Sequence, residues 1–319
     1  MIFLNLVGYT TGMLKDIAYG VLVTCSILAT SIWVPIIGIF CSLLLPLPTL
    51  YYRVKLGRTI SALIPIIALA VLMIAMKGFP FDIVFVAALL IMGFSLGELF
   101  ESQFSVEKTM LLTCGMIFLG GALCLILFSA ATGHSLLADF SQSVAHNREF
   151  LLQLYRSMGM PAESISDFTR FLDEMQNMVI RILPALTITT TLFVIWVNLL
   201  LGRHLLKSRR MPYPAYGRLN LWQAPEYLIW GVIGCGLLIL VPDGFAKTIG
   251  LNGLISLMMV YFFQGVAIVS FFFEKKQVPR FAKVLLYALL ILQEVLLVVI
   301  VIGFIDVWAN FRKVEKTTF

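Results

Sequence analysis

Glu294 is the first residue whose type and setting could do chemistry. With Gln293 beside it, it lies between the apolar stretches Leu285–Leu292 and Val295–Ile302. A carboxyl group carried into a bilayer by such neighbours must be protonated, paired or set in a wet cavity, so it marks a candidate ligand site. Tyr287 falls two turns earlier on the same helical face, and Gln264, next to Gly265, lies within the preceding apolar run. A shared polar site of Glu294 with Gln264 or Tyr287 is the expectation. Thr187, Thr191 and Asn198 line one face of an earlier run, with Pro184 on the same stripe. Packing competes with binding at each of these positions, because threonines bond back to their own helix and Gln or Asn bonds across helix interfaces.

Other charges suggest position rather than chemistry. Glu98, Asp82, Arg181, Glu226 and Asp306 stand near the ends of apolar runs, where interfacial or snorkelling charges are expected. Arg203, Lys207, Arg209 and Arg210 form a basic cluster that reads as a topology signal or as a dock for anionic lipid or a cytoplasmic partner. No G-x-S-x-G, H-E-x-x-H or lysine-bearing phosphate loop occurs. The three histidines (His134, His146, His204) are scattered, and the five cysteines lie inside apolar runs as packing residues. The expectation is therefore a non-enzyme with no catalytic residue, no metal site and no cofactor.

The elements that position these residues are membrane helices. Of 319 residues, 60% are hydrophobic and 13% charged, and the mean hydropathy is +0.98. Soluble domains carry about 25% charged residues, so the chain lacks the polar surface to cover itself in water. Apolar runs near the length needed to cross a hydrocarbon core of about 30 Å recur throughout. The net charge of +6 sits in short connections, which points to lipid head groups rather than nucleic acid.

Residues 16–52 read as two closely joined helices, about 16–34 and 36–52, broken at Val34-Pro35 and Pro46-Leu47-Pro48. A single long helix with a re-entrant tail is the alternative. Further spans follow at about 59–76, 82–99, 108–131, 178–202, 224–242, 249–273 and 283–305. The fold class is all-α: a polytopic transmembrane helical bundle of eight or nine spans. Three segments organise it: N-terminal transmembrane helices over 1–131, an amphipathic extracytoplasmic segment over 132–177, and C-terminal transmembrane helices over 178–319.

Within 132–177, Asn147 to Met158 predicts a short helix, and Ile165, Phe168, Phe171, Leu172, Met175 and Val179 recur at helical spacing. Ser164 and Asp167 resemble a capping box after Pro161. Gly93-Phe-Ser-Leu-Gly97 has the small-xxx-small spacing that lets neighbouring spans approach closely. The basic turns at 53–58, 203–218 and 274–283 belong in the cytoplasm by the positive-inside rule, and 132–177 then lies outside. Arg312, Lys313 and Lys316 would be external in that count, against the rule. No cleavable leader is read in residues 1–20, so the first span should direct insertion into the cell membrane.

Four local patterns stand in order along the chain. They are Pro46-Leu47-Pro48 with Arg53 and Gly57, Trp222-x-x-Pro225-Glu226-x-x-x-Trp230, Tyr261-x-x-Gln264-Gly265, and Asp306-x-Trp308-x-x-Phe311-Arg312. With the span layout and the long middle segment, they resemble the YybS-like family of bacterial membrane proteins, a domain of unknown function. The N-terminal helices are also similar to the substrate-binding subunits of energy-coupling-factor vitamin transporters, which implies a transport-related module binding a small-molecule ligand. A non-enzymatic scaffold, meeting membrane or cytoplasmic proteins besides the bilayer, is the competing expectation.

Overall fold

The computed structural model describes residues 2–75, 82–132, 136–159, 161–242, 244–290 and 292–312. His134, Lys313 and Lys316 lie outside the described residues. The described residues form thirteen α-helices, one 3-10 turn and no strand. Seven helices are long and apolar enough to cross a membrane, or up to eight if one bent pair counts as a span. The protein is an all-α, polytopic membrane protein.

Proline punctuates its beginning. α1 (Ile2–Trp33) stops at Val34, which is extended as a residue before proline tends to be, and α2 (Pro35–Leu44) opens on Pro35. α3 (Pro46–Leu56) likewise opens on Pro46, and Gly57, with φ of 79°, ends it ahead of the single-turn α4 (Arg58–Ser61). Then follow α5 (Leu63–Ala75), α6 (Asp82–Glu101) and α7 (Val106–Thr132). α8 (Leu136–Ser157) and α9 (Ala162–Ser208) come next, then α10 (Leu228–Ile239), α11 (Phe245–Lys275), α12 (Arg280–Leu289) and α13 (Gln293–Ala309). Two compact units result. The first contains residues 1–141 and 191–215, and the second 142–190 and 216–319.

In the first unit α3 packs on α6 through the small-xxx-small pair. A Cβ at Gly93 would overlap Thr49 and the Pro46 carbonyl, and one at Gly97 would come within 2.6 Å of the Arg53 Cγ. The spacing therefore serves packing between helices of this chain. In the second unit α11 and α13 cross equally closely, since a Cβ at Gly265 would strike the Val299 carbonyl and one at Gly303 the Tyr261 carbonyl. Only glycine lets these backbones meet.

Four expectations change. The middle segment is helical as predicted, but its second helix is not separate from the following span. α9 runs unbroken for 47 residues with Pro184 inside it, about 70 Å at 1.5 Å per residue. It starts at Ala162, so Ser164 lies inside the helix rather than capping it. The span expected at 224–242 contains only the 12-residue α10, about 18 Å long. The span expected at 283–305 is two helices. Leu292, with ψ of 137°, is extended and separates α12 from α13.

Candidate functional site

That break relocates Glu294. It stands exposed in the first turn of α13 rather than at mid-span, where a carboxylate faces the positive end of the helix dipole. The predicted pairing of Glu294 with Gln264 or Tyr287 is not what the structure holds. The Tyr287 ring packs edge-on against Phe273 at 5.4 Å between centroids. Gln264, 1% exposed, has other partners.

Those partners make a closed polar centre in the second unit. The Ala224 N–H donates to Gln264 Oε1 at 3.1 Å, and Gln264 Nε2 donates to Asp306 Oδ2 at 3.1 Å. Arg312 Nη2 donates to the same Asp306 oxygen at 2.8 Å, and the Phe311 N–H donates to Oδ1 at 2.8 Å. Arg312 Nη1 donates to the Asn220 and Trp222 carbonyls, each at 2.9 Å. The side chains of Asp306 and Arg312 are both fully buried. Local structure explains how two residues six apart meet. Asn310 adopts the left-handed conformation at the end of α13 and turns the chain back, so that Phe311 and Arg312 return to Asp306.

A second polar centre lies in the first unit, where α3 meets α6. Arg53, with its side chain 3% exposed, donates from Nε to Glu98 at 2.8 Å and forms a two-pronged pair with Glu101 at 3.1 and 3.0 Å. Its guanidinium also lies 5.8 Å from the centre of the Phe94 ring. Lys55 pairs with Asp16 at 2.6 Å. Arg58 also lies 3.8 Å from Glu98, so the turn at 53–58, read from sequence as a topology signal, has all three of its cations engaged by carboxylates. Glu98 and Asp306, read as end-of-span charges, are ion-pair partners of buried arginines.

Thr187 and Asn198 of the threonine stripe bond within the protein, although Thr187 is exposed and the buried Asn198 Oδ1 has no hydrogen-bond partner. Thr187 Oγ1 donates to the Leu183 carbonyl of its own helix at 2.9 Å, and Thr191 is buried. Asn198 Nδ2 donates across to the Leu43 carbonyl near the end of α2 at 2.7 Å, and to Val194 O at 2.8 Å. Lys207, Arg209 and Arg210 are exposed at the end of α9, and Arg203 is half-buried.

Glu101, Asn220 and Asn252 escaped the sequence reading. Asn252 of α11 accepts the Ala185 N–H at 2.7 Å and donates to the Arg181 carbonyl at 2.7 Å. These are the two backbone groups that would bond each other in an uninterrupted helix, beside Pro184. Asn252 thus closes the gap in the ladder at the proline. The signal available was a helix proline in a membrane segment, which needs an outside partner for its freed backbone groups.

In the second unit's centre the buried Arg312 Nε has no hydrogen-bond partner, and in the first unit's centre the Glu101 carboxylate is half exposed. Both ends of the Gln264 amide, both Asp306 oxygens and both terminal Arg312 nitrogens are spent on protein groups, so the arrangement acts chemically as a lock between elements. Among the described residues no group of three or more His, Cys, Asp or Glu could hold a metal ion.

A family described as "Predicted membrane protein (DUF2232)" matches residues 21–307, in agreement with the YybS-like resemblance. No curated protein and no solved structure matches the chain.

Proposed function

The chain belongs to the DUF2232 family of membrane proteins, and from that premise we propose that it is a non-enzymatic interaction protein of the cell envelope, docking a partner through the hairpin of α8 and α9. One observation carries this reading. α9 continues as a single helix from its polar arm, residues 162–177, into its apolar part. Some 20 residues cross a hydrocarbon core, so well over half of the 47-residue helix is surplus to crossing. The arm is not left to stand alone. Arg148 of α8 forms a two-pronged pair with Asp173 at 2.8 and 3.2 Å, and the Tyr155 and Phe168 rings stack at 4.3 Å.

This antiparallel register stiffens a surface that exposes Phe150, Leu154, Met158, Phe171 and Met175. Clustered exposed apolar side chains rimmed by charge mark interaction sites. By the positive-inside rule the hairpin is extracytoplasmic. The transport-related ligand-binding reading has less support, because Gln264 alone of the Glu294, Gln264 and Tyr287 set lies in a polar centre, and each end of its amide is bonded to a protein group.

The test replaces Phe150, Leu154, Phe171 and Met175 with glutamine in the full chain, expressed in a strain lacking the native copy. The expected result is normal abundance in the membrane with loss of complementation, and loss of the photo-crosslinks that a benzophenone at 171 forms to one protein partner. Full complementation by this variant refutes the docking role. So does a benzophenone at 171 that reaches only lipid.

A further inference from the structure

We propose that α12 is an in-plane anchor that docks on the anionic lipid leaflet next to the 274–280 turn. The helix has 10 residues, about 15 Å, half of what a crossing needs. Nor does it fold back along α11. A return centred on the turn at Gln277 would set residue 287 opposite about residue 267, from the symmetry of an antiparallel helical hairpin. The Tyr287 ring instead stays against Phe273 near the end of α11, so α12 runs across that end. The extended Leu292 then separates it from α13.

Its two faces differ in what they meet. Leu290 just beyond it is buried, and Tyr287 packs on Phe273. Phe281, Val284, Leu285 and Leu289 are exposed, Phe281 to 83%, and with exposed Ala288 they make one stripe at helical spacing. Such a stripe on a short helix suits the acyl boundary of a leaflet, with cations held at head-group level.

Charge selects the lipid. Lys275, Lys276, Arg280 and Lys283 fall within nine residues, and the single acid of the region, Glu274, is already engaged by Asn220 and by Arg218 at 3.7 Å. Four cations flanking an apolar face complement anionic head groups, which a neutral leaflet does not offer.

The experiment places single nitroxides at 281, 284, 285, 288 and 289 of the full chain, its five cysteines replaced, in nanodiscs containing phosphatidylglycerol. Expected are high oxygen access, low access to a nickel chelate, and one common depth for all five sites. A depth changing steadily by about 1.5 Å per residue would make α12 part of a crossing. High nickel access would put the face in water. Shielding from both reagents would mean a second protein or second copy covers it. Each of these overturns the proposal.

The lipid choice is read separately by mass spectrometry of co-purified lipid. The variant K275Q/K276Q/R280Q/K283Q should retain at least threefold less phosphatidylglycerol while keeping its melting temperature. Should the quadruple variant not fold, R280Q and K283Q singly are each expected to lower retention. Unchanged retention in the folded variants refutes the anionic preference.

Discussion

Asp306 and Arg312 face each other at 2.8 Å with neither side chain reaching solvent. Removing one partner of such a buried pair strands the other's charge, an effect of about 3–5 kcal/mol. Asp306→Leu or Arg312→Met should each lower unfolding free energy in mild detergent by that amount. The double variant should be less destabilised than the sum, because no uncompensated charge remains. Strict additivity would show the pair is not the lock described.

Close helix crossing predicts a contrast among glycines. A Cβ at Gly303 would lie 2.7 Å from the Gly265 nitrogen, whereas one at Gly120 of α7 meets nothing within 4 Å. Gly303→Ala should destabilise by about 1–3 kcal/mol through overpacking. Gly120→Ala should be neutral or stabilising by up to about 1 kcal/mol, because alanine favours the helix. Thermal melting of the two variants side by side checks the order.

The Asn252 clamp predicts a coupling with Pro184. Asn252→Leu should cost about 1–3 kcal/mol, since two backbone groups lose their partner inside the second unit. With Pro184→Ala added, the Ala185 N–H can return to the Arg181 carbonyl, so the double variant should recover part of that loss. A double-mutant cycle of unfolding free energies measures it.

Long apolar runs and proline breaks were legible in the sequence because the bilayer imposes length and proline removes a donor. Gln264 stood out because an amide within an apolar run needs partners. Glu294 misled for a comparable reason. The run from Leu285 to Ile302 looks continuous, and its interruption at Leu292 is backbone conformation with no Pro or Gly to announce it. Asp306 looked like an ordinary boundary charge and Arg312 like a tail cation on the wrong side, since only the left-handed Asn310 brings them together. Asn252 was silent because its partners are backbone groups 67 and 71 residues away.

The Gln264 centre also sets an order of events during synthesis. Its members span 92 residues from Asn220 to Arg312, and they leave the ribosome in sequence. Gln264 enters the translocation site before Asp306 exists, and Asp306 before the arginine that neutralises it. α11 and α13 must therefore be admitted to the membrane on the strength of their apolar residues alone, and their polar groups are matched afterwards. The centre is therefore complete only once Arg312, the last of the set to be made, reaches Asp306 and the Asn220 and Trp222 carbonyls.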